Sequence, residues 1–203
     1  MTAIATASPR PVLAEALFPN AATRSGITVL AGAALTAVCA QVALPIPGSP
    51  VPVTGQTFAV LVVAAALGPA RGLASQGLYL ALGVLGLPVF GHGAHGVHVI
   101  MGATGGYLVG FLFAALLVGA ASRRGADRSI PRELGVLVLA SLLIYLMGAG
   151  WLAVVTGMTA AQAFSAGVAP FVVGDAVKLG LASVSLPAAW KLAGRSSNVR
   201  HDR

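Results

Sequence analysis

Between Gly26 and Trp190 the chain carries charge in only three places: Arg71 alone, a cluster from Arg123 to Glu133, and the pair Asp175 and Lys178. The first two fall where apolar runs break, so they mark loops. The third falls inside an otherwise greasy run, PFVVGDAVKLG, residues 170–180. A charge at membrane depth costs roughly 2.5–3.5 kcal/mol on insertion scales, so such residues are rare and face a partner or a ligand. Asp175 and Lys178 are therefore the leading candidates for a site.

The membrane reading rests on composition. Of 203 residues, 57% are hydrophobic and 8% are charged, far from the roughly 25% charge of a soluble domain. The apolar runs are long, rich in Leu, Val, Ala and Gly, and lack the alternation of a β-barrel strand, so the expected fold is an all-α membrane protein. At about 20 residues per crossing the length accommodates roughly six spans. These are expected near 26–44, 56–67, 72–87, 104–121, 134–155 and 170–190, with the second and third short for a full crossing. Residues 1–25 read as an N-terminal tail, 26–191 as the membrane domain and 192–203 as a C-terminal tail. The net charge of +7 does not indicate nucleic acid, because Lys and Arg lie in short loops and tails beside apolar segments. By the positive-inside rule those segments, both tails included, are cytoplasmic, since the alternate loops carry no Lys, Arg, Asp or Glu. The sixth span then runs from outside to inside, and Asp175 lies about 8 Å from its outer end.

Asp175 and Lys178 are three apart on a helix, so they share a face and neutralise each other while lining one cavity wall. Gly174 removes bulk beside them. An acceptor and a donor there suit a polar uncharged ring with N–H and carbonyl groups, or a solute bearing a carboxylate. The outer loops add Thr54, Gln56 and Thr57 as hydrogen-bonding groups, and Phe90 and Tyr107 as aromatic walls. His92, His95 and His98 lie in a glycine-rich loop with no acid or cysteine nearby. They read as polar loop residues, and no metal site is expected. Cys39 is the single cysteine, which excludes an intramolecular disulfide. On the first span Ala33 and Ala37 form a small-residue pair, repeated by Gly32 and Thr36, that permits close helix approach. No phosphate-binding GxxxxGK[ST] loop, nucleophile elbow or zinc-protease motif occurs, so no enzyme is expected and any ATP-driven energy must come from a partner.

Four strings occur in one order: VPVTGQTFAVLVVAAALGPARG, LYLALGVLGLPVF, MGATGGYLVGF and PFVVGDAVKLG. Together they resemble the BioY family, the biotin-binding S components of energy-coupling factor (ECF) transporters. The resemblance implies six membrane helices and high-affinity biotin capture near the outer surface, with no cofactor. Asp175 and Lys178 match the family's GDxxK motif, Thr54 and Gln56 its PVTxQT string, and Gly105, Gly106 and Tyr107 its TGGY string. The chain departs from the pattern at Ala103, at Gly55 and throughout the histidine-bearing loop 91–98. The resemblance also implies partners, a transmembrane coupling subunit and ATP-binding subunits, with Ala33 and Ala37 as the docking residues. Two orientations of biotin stay open: the ureido ring on Asp175 and Lys178, or the valerate carboxylate on Lys178. From a different class, a proton-coupled secondary transporter would use Asp175 as a relay.

Overall fold

The computed structural model describes residues 10–17 and 21–201, with side chains described for 10–17 and 25–192. Helices α1 (Leu13–Leu17) and α2 (Ala21–Gln41) lead to a two-residue antiparallel bridge, β1 (Ala43–Leu44) on β2 (Val53–Thr54), with Ala43 opposite Thr54. There follow α3 (Gln56–Leu67), α4 (Pro69–Val84), α5 (Val97–Met101), α6 (Gly105–Ser122), α7 (Ile130–Thr156), α8 (Ala160–Gly167) and α9 (Val172–His201). Among the described residues, three segments are long and apolar enough to cross a membrane: Gly105–Ser122, Ile130–Thr156 and Ala160–Leu192; Ser25–Gln41 and Gln56–Leu67 are shorter apolar helices.

Helix α3 is central, packed by α2, α4, α6 and α9, while α6 lies along α7. Its inward residues Val60, Leu61 and Ala64 meet Leu108, Phe111 and Ala115 of α6 and Leu179 and Ala182 of α9 in one apolar core. The frequent alanines allow backbones to approach, which supplies dispersion contacts where lipid offers no hydrophobic driving force. Ile27, Leu30, Val38, Leu139, Leu146, Val154, Val173, Val177 and Leu181 point outward instead, as residues facing hydrocarbon do. The α3–α4 turn depends on Gly68, whose φ of 80° suits glycine, followed by Pro69 at the start of α4. Gly119 of α6 lies against this turn, where a Cβ would come within 2.4 Å of the Pro69 nitrogen.

Several boundaries differ from expectation. The helix in place of the expected first span, α2, ends at Gln41 rather than 44, because Ala43 and Leu44 leave the helix to pair with β2. The helix in place of the expected third, α4, begins at Pro69 and ends at Val84, two residues before Gly86 turns to a φ of 106°. The uncharged loop before the last span holds α8, started by a capping box in which Thr159 and Gln162 bond reciprocally. Pro170 falls in a single 3₁₀ turn, Ala169–Phe171, and α9 starts after it and continues beyond Trp190.

The 1–25 stretch includes α1, which is docked: Val12, Leu13 and Ala14 are buried. Glu15 accepts from Arg123 at 2.7 and 2.8 Å and pairs with Arg71, so one carboxylate joins α1 to the α3–α4 turn and to the end of α6. Burial would raise its carboxyl, but the Arg123 hydrogen bonds, the Val12 backbone N–H and the charges of Arg123 and Arg71 outweigh it and hold the group below the usual carboxylate range. Beside this clamp Asp127 is buried and accepts from the Trp190 indole at 2.5 Å, with the Arg128 guanidinium 4.4 Å from the Trp190 ring centre. Burial pushes the Asp127 carboxyl up, against that hydrogen bond and the charge of Arg128.

Candidate functional site

At the opposite end, the starts of α3, α6 and α9 and the loops before them surround a cavity of about 340 Å³. That falls in the range of small-molecule sites, about 300–1,000 Å³. The walls are mainly apolar and aromatic: Phe90, Leu108, Phe111, Ile144 and Phe171 contribute, and polar groups gather on one side.

The polar side is built on α9. Asp175 lies in that helix's first turn, where the positive helix end favours a carboxylate, and it is only 5% exposed. Its Oδ1 accepts from Lys178 Nζ at 2.6 Å and from the Thr57 hydroxyl at 3.3 Å, and its Oδ2 accepts from the Tyr145 hydroxyl at 2.6 Å. Lys178 spends its other two protons on the Thr54 carbonyl at 2.7 Å and on Thr57 Oγ1 at 3.3 Å. An ammonium has three protons, so Lys178 is saturated. The β1–β2 bridge fixes Thr54, and its hydroxyl donates to Gln56 Oε1 at 2.8 Å while Gln56 Nε2 donates to the Tyr79 hydroxyl.

The aromatic walls are held as firmly. Phe90 is buried with its ring 5.4 Å from that of Tyr79 in an edge-to-face contact, and it lies over Gly83, where no side chain would fit. Tyr107 is buried too, and donates its hydroxyl proton to the Gly167 carbonyl at 2.7 Å. It therefore turns its ring, not a free hydroxyl, toward the cavity.

Of the sequence-predicted residues, the fold brings Thr54, Gln56, Phe90, Tyr107, Asp175 and Lys178 to one cavity, together with Thr57. It does not bring Gly105 or Gly106 there. A Cβ on Gly106 would lie 2.3 Å from Trp151 Cβ, and one on Gly105 would strike the Ile100 carbonyl; both glycines serve the contacts of α6 with α7 and with the α5 turn. Gly174 faces Val53 rather than the cavity. On α2, Ala33 is buried and Ala37 is half-buried against the core, while Gly32 opposes Ser75 and Val63. That small-residue face is turned inward onto α3 and α4, and the outward face carries Ile27, Leu30, Ala31, Ala34, Leu35 and Val38. Of the histidines, His92 lines the cavity and His95 and His98 do not. No three His, Cys, Asp or Glu side chains gather among the described residues.

Tyr145 is the main residue that sequence reasoning missed. A lone phenol in the run LLIYLMG is a polar group at membrane depth, and that was the available signal. Phe111, Ile144 and Val99 gave none, being ordinary apolar residues until packing turns them to the cavity.

Comparison with known proteins follows the same lines. The family model for the BioY family matches residues 11–195. A probable biotin transporter BioY of Pyrococcus horikoshii is 41% identical over 151 residues, covering 74% of this chain and 86% of that protein. Biotin transporter BioY2 of Lactococcus lactis subsp. cremoris is 35% identical over 159 residues, 78% of this chain and 86% of that protein. The crystal structure at 2.1 Å of the S-component for biotin from an ECF-type ABC transporter superposes with a TM-score of 0.77 at 25% identity, covering 83% of this chain and 92% of that one.

Proposed function

The chain belongs to the BioY family, and from that premise we propose that it captures biotin with high affinity for uptake across the cell membrane, as the substrate-binding S component of an ECF transporter. It is a multi-pass membrane protein of a transporter family and not an enzyme. The observation that carries the reading is the cavity: an apolar and aromatic chamber of about 340 Å³ with a buried, hydrogen-bonded Asp175–Lys178 pair on one side. Biotin has a compact bicyclic body to bury and a ureido group to hydrogen-bond. The residues proposed to hold it are Thr54, Gln56, Phe90, Tyr107, Asp175 and Lys178, joined by Thr57 and Tyr145.

Six crossings with both termini cytoplasmic complete the proposal, over 26–191 with tails at 1–25 and 192–203. The distribution of charge supports this topology. Arg71 and Arg123 lie at the end joined by Glu15, and the cavity lies at the other, so the positive-inside rule turns the cavity outward. Partners would be a transmembrane coupling subunit and ATP-binding subunits, because the chain has no nucleotide motif of its own. The outward face of α2, with Ala31 and Ala34, is the docking surface we favour over Ala33 and Ala37.

A proton-coupled transporter finds no support in this geometry. Asp175 is held by a cation and two hydroxyl groups, and among the described residues no second carboxylate lines the cavity to continue a relay. Binding of labelled biotin to the purified chain, and to Asp175→Asn and Lys178→Ala, tests the assignment. Wild type is expected to bind and both variants to bind much more weakly. Absence of wild-type binding, or variants as tight as wild type, refutes it.

A further inference from the structure

At the end of the fold joined by Glu15, three buried carboxylate oxygens have no hydrogen-bond partner. Asp127 lies in the single 3₁₀ turn Ala126–Arg128 between α6 and α7, and Glu133 lies in the first turn of α7; both are 0% exposed. The Trp190 indole of α9 donates to Asp127 Oδ2, yet among the described residues nothing donates to Asp127 Oδ1 or to either oxygen of Glu133. A buried polar atom left unbonded costs about 1–3 kcal/mol, and more where the group is charged.

The surroundings bring no cation to Glu133. Against α7 pack α3, α6, α8, α9 and the 3₁₀ turn, of which α3 and α8 carry no charged residue. Arg123, which caps α6, is spent on Glu15 and on the Arg10 carbonyl. Arg128 lies over the Trp190 ring, donates to the Pro11 carbonyl and acts on Asp127. Arg124, Arg132 and Lys191 are exposed, while Asp175 and Lys178 of α9 are paired at the cavity. Asp127 therefore has one donor and one nearby cation, whereas Glu133 has neither and faces the charge of Asp127. Two carboxylates sharing a buried site do not both ionise cheaply. One proton answers both faults. Placed on Glu133, it removes one of two adjacent buried charges and supplies the donor that Asp127 Oδ1 lacks. A metal ion suits the corner poorly, because a hard cation such as calcium takes about six to eight oxygen ligands and no three His, Cys, Asp or Glu side chains gather among the described residues.

We propose that Asp127 and Glu133 form a proton site, separate from the substrate cavity, in which Glu133 is held as the neutral acid and donates its proton to Asp127 Oδ1. The site fastens three elements at one corner: α9 through Trp190, the α6–α7 connection through Asp127, and α7 through Glu133. Loss of the proton leaves two carboxylates side by side without a donor between them, and the corner opens. Its response to pH is the reverse of the Glu15 clamp, closed in the protonated form and released by alkali.

The chain has only five Asp and Glu residues, so the carbonyl stretch of a protonated carboxylic acid is readable by infrared spectroscopy on the purified full chain without ligand. The band is expected at neutral pH in wild type, is lost on raising the pH, and is missing from Glu133→Gln. Hydrogen-exchange protection at residues 123–133, measured relative to the intrinsic rate at each pH, should fall as the band disappears, by no more than about tenfold per pH unit for one linked proton. Glu133→Gln keeps the shape of the neutral acid and an N–H donor for Asp127, so it should retain wild-type protection at neutral pH and lose the pH dependence. Asp127→Asn removes the like charge and should keep the Glu133 band only to a lower pH than wild type does; if Glu133→Gln does not fold, an unchanged titration of the band in Asp127→Asn overturns the proposal. Absence of the band from wild type at neutral pH, its survival in Glu133→Gln, or protection independent of pH also overturns it. So does a stoichiometric metal ion that elemental analysis finds in wild type and not in Glu133→Gln. Biotin affinity of Glu133→Gln should stay within about twofold of wild type, and its loss would refute a site separate from the cavity.

Discussion

The sharpest consequence concerns the Asp175–Lys178 pair, whose partners are known atom by atom. The two side chains are 7% and 17% exposed. Lys178→Met removes the one cation that Asp175 touches among the described residues and leaves the Thr57 and Tyr145 hydroxyl groups as its donors. Breaking a buried ion pair from one side costs about 3–5 kcal/mol. Hydrogen bonds to a charged group contribute about 1.5–3 kcal/mol each, and Asp175 retains two of them, so the lower end applies: about 3 kcal/mol. Asp175→Asn is expected to cost a similar amount, because Lys178 keeps only the Thr54 carbonyl and Thr57 as acceptors. The double variant removes both charges, and replacement of a whole buried pair is often nearly neutral. It is expected within about 1 kcal/mol of wild type, by the same reasoning, yet with biotin binding abolished. Reversible unfolding of the four proteins in detergent without ligand, beside biotin titrations, separates the two roles. Singles within about 0.5 kcal/mol of wild type, or a double variant whose cost equals the sum of the singles, would refute the energetic argument. A double variant that binds as wild type would refute the site.

Other outcomes are open to direct measurement. Tyr145→Phe removes one hydroxyl bonded to Asp175 and should both weaken biotin about tenfold and lower stability by about 1.5–3 kcal/mol. Gly106→Leu should lower thermal stability by more than about 1–3 kcal/mol through collision with Trp151 and Met147. Saturating biotin should not rescue it fully, as it would if Gly106 only shaped the ligand. Ala33→Leu should destabilise the chain itself, because Ala33 is 2% exposed. Ala31→Leu and Ala34→Leu should leave folding and biotin binding intact and reduce co-purification with the proposed coupling subunit. For Glu15 the folded carboxyl lies below its ordinary value. The α1 clamp is therefore fully present above the ordinary carboxylate range and is lost as pH falls through the depressed value. Hydrogen-exchange protection at residues 12–17, measured relative to the intrinsic rate at each pH, should fall on acidification, and Glu15→Gln should remove that pH dependence.

The sequence by itself settled the solvent, the helical class and the two residues on which the candidate site turns. Those conclusions need only local quantities. A long apolar run has a transfer free energy whatever it packs against, and an acid three residues before a base on a helix shares its face. The start of α3 at Gln56 and its end at Leu67 were likewise legible, since Gly68 and Pro69 act within one turn of chain.

What depended on neighbours in space was not. Gly105 and Gly106 read as ligand contacts because they match the family's TGGY string, yet only the approach of Trp151 decides what a missing Cβ makes room for. Ala33 and Ala37 read as a docking stripe because small residues suit any close helix contact, and the sequence does not say whether the helix that comes close belongs to this chain. Tyr145 reaches Asp175 across 30 positions, and His92 reaches the cavity through a loop held by Gln41, some 50 residues away. Periodicity and hydropathy are one-dimensional sums along the chain. The cavity is a juxtaposition of distant segments, and only the tertiary structure fixes which donors are spent and which acceptors remain.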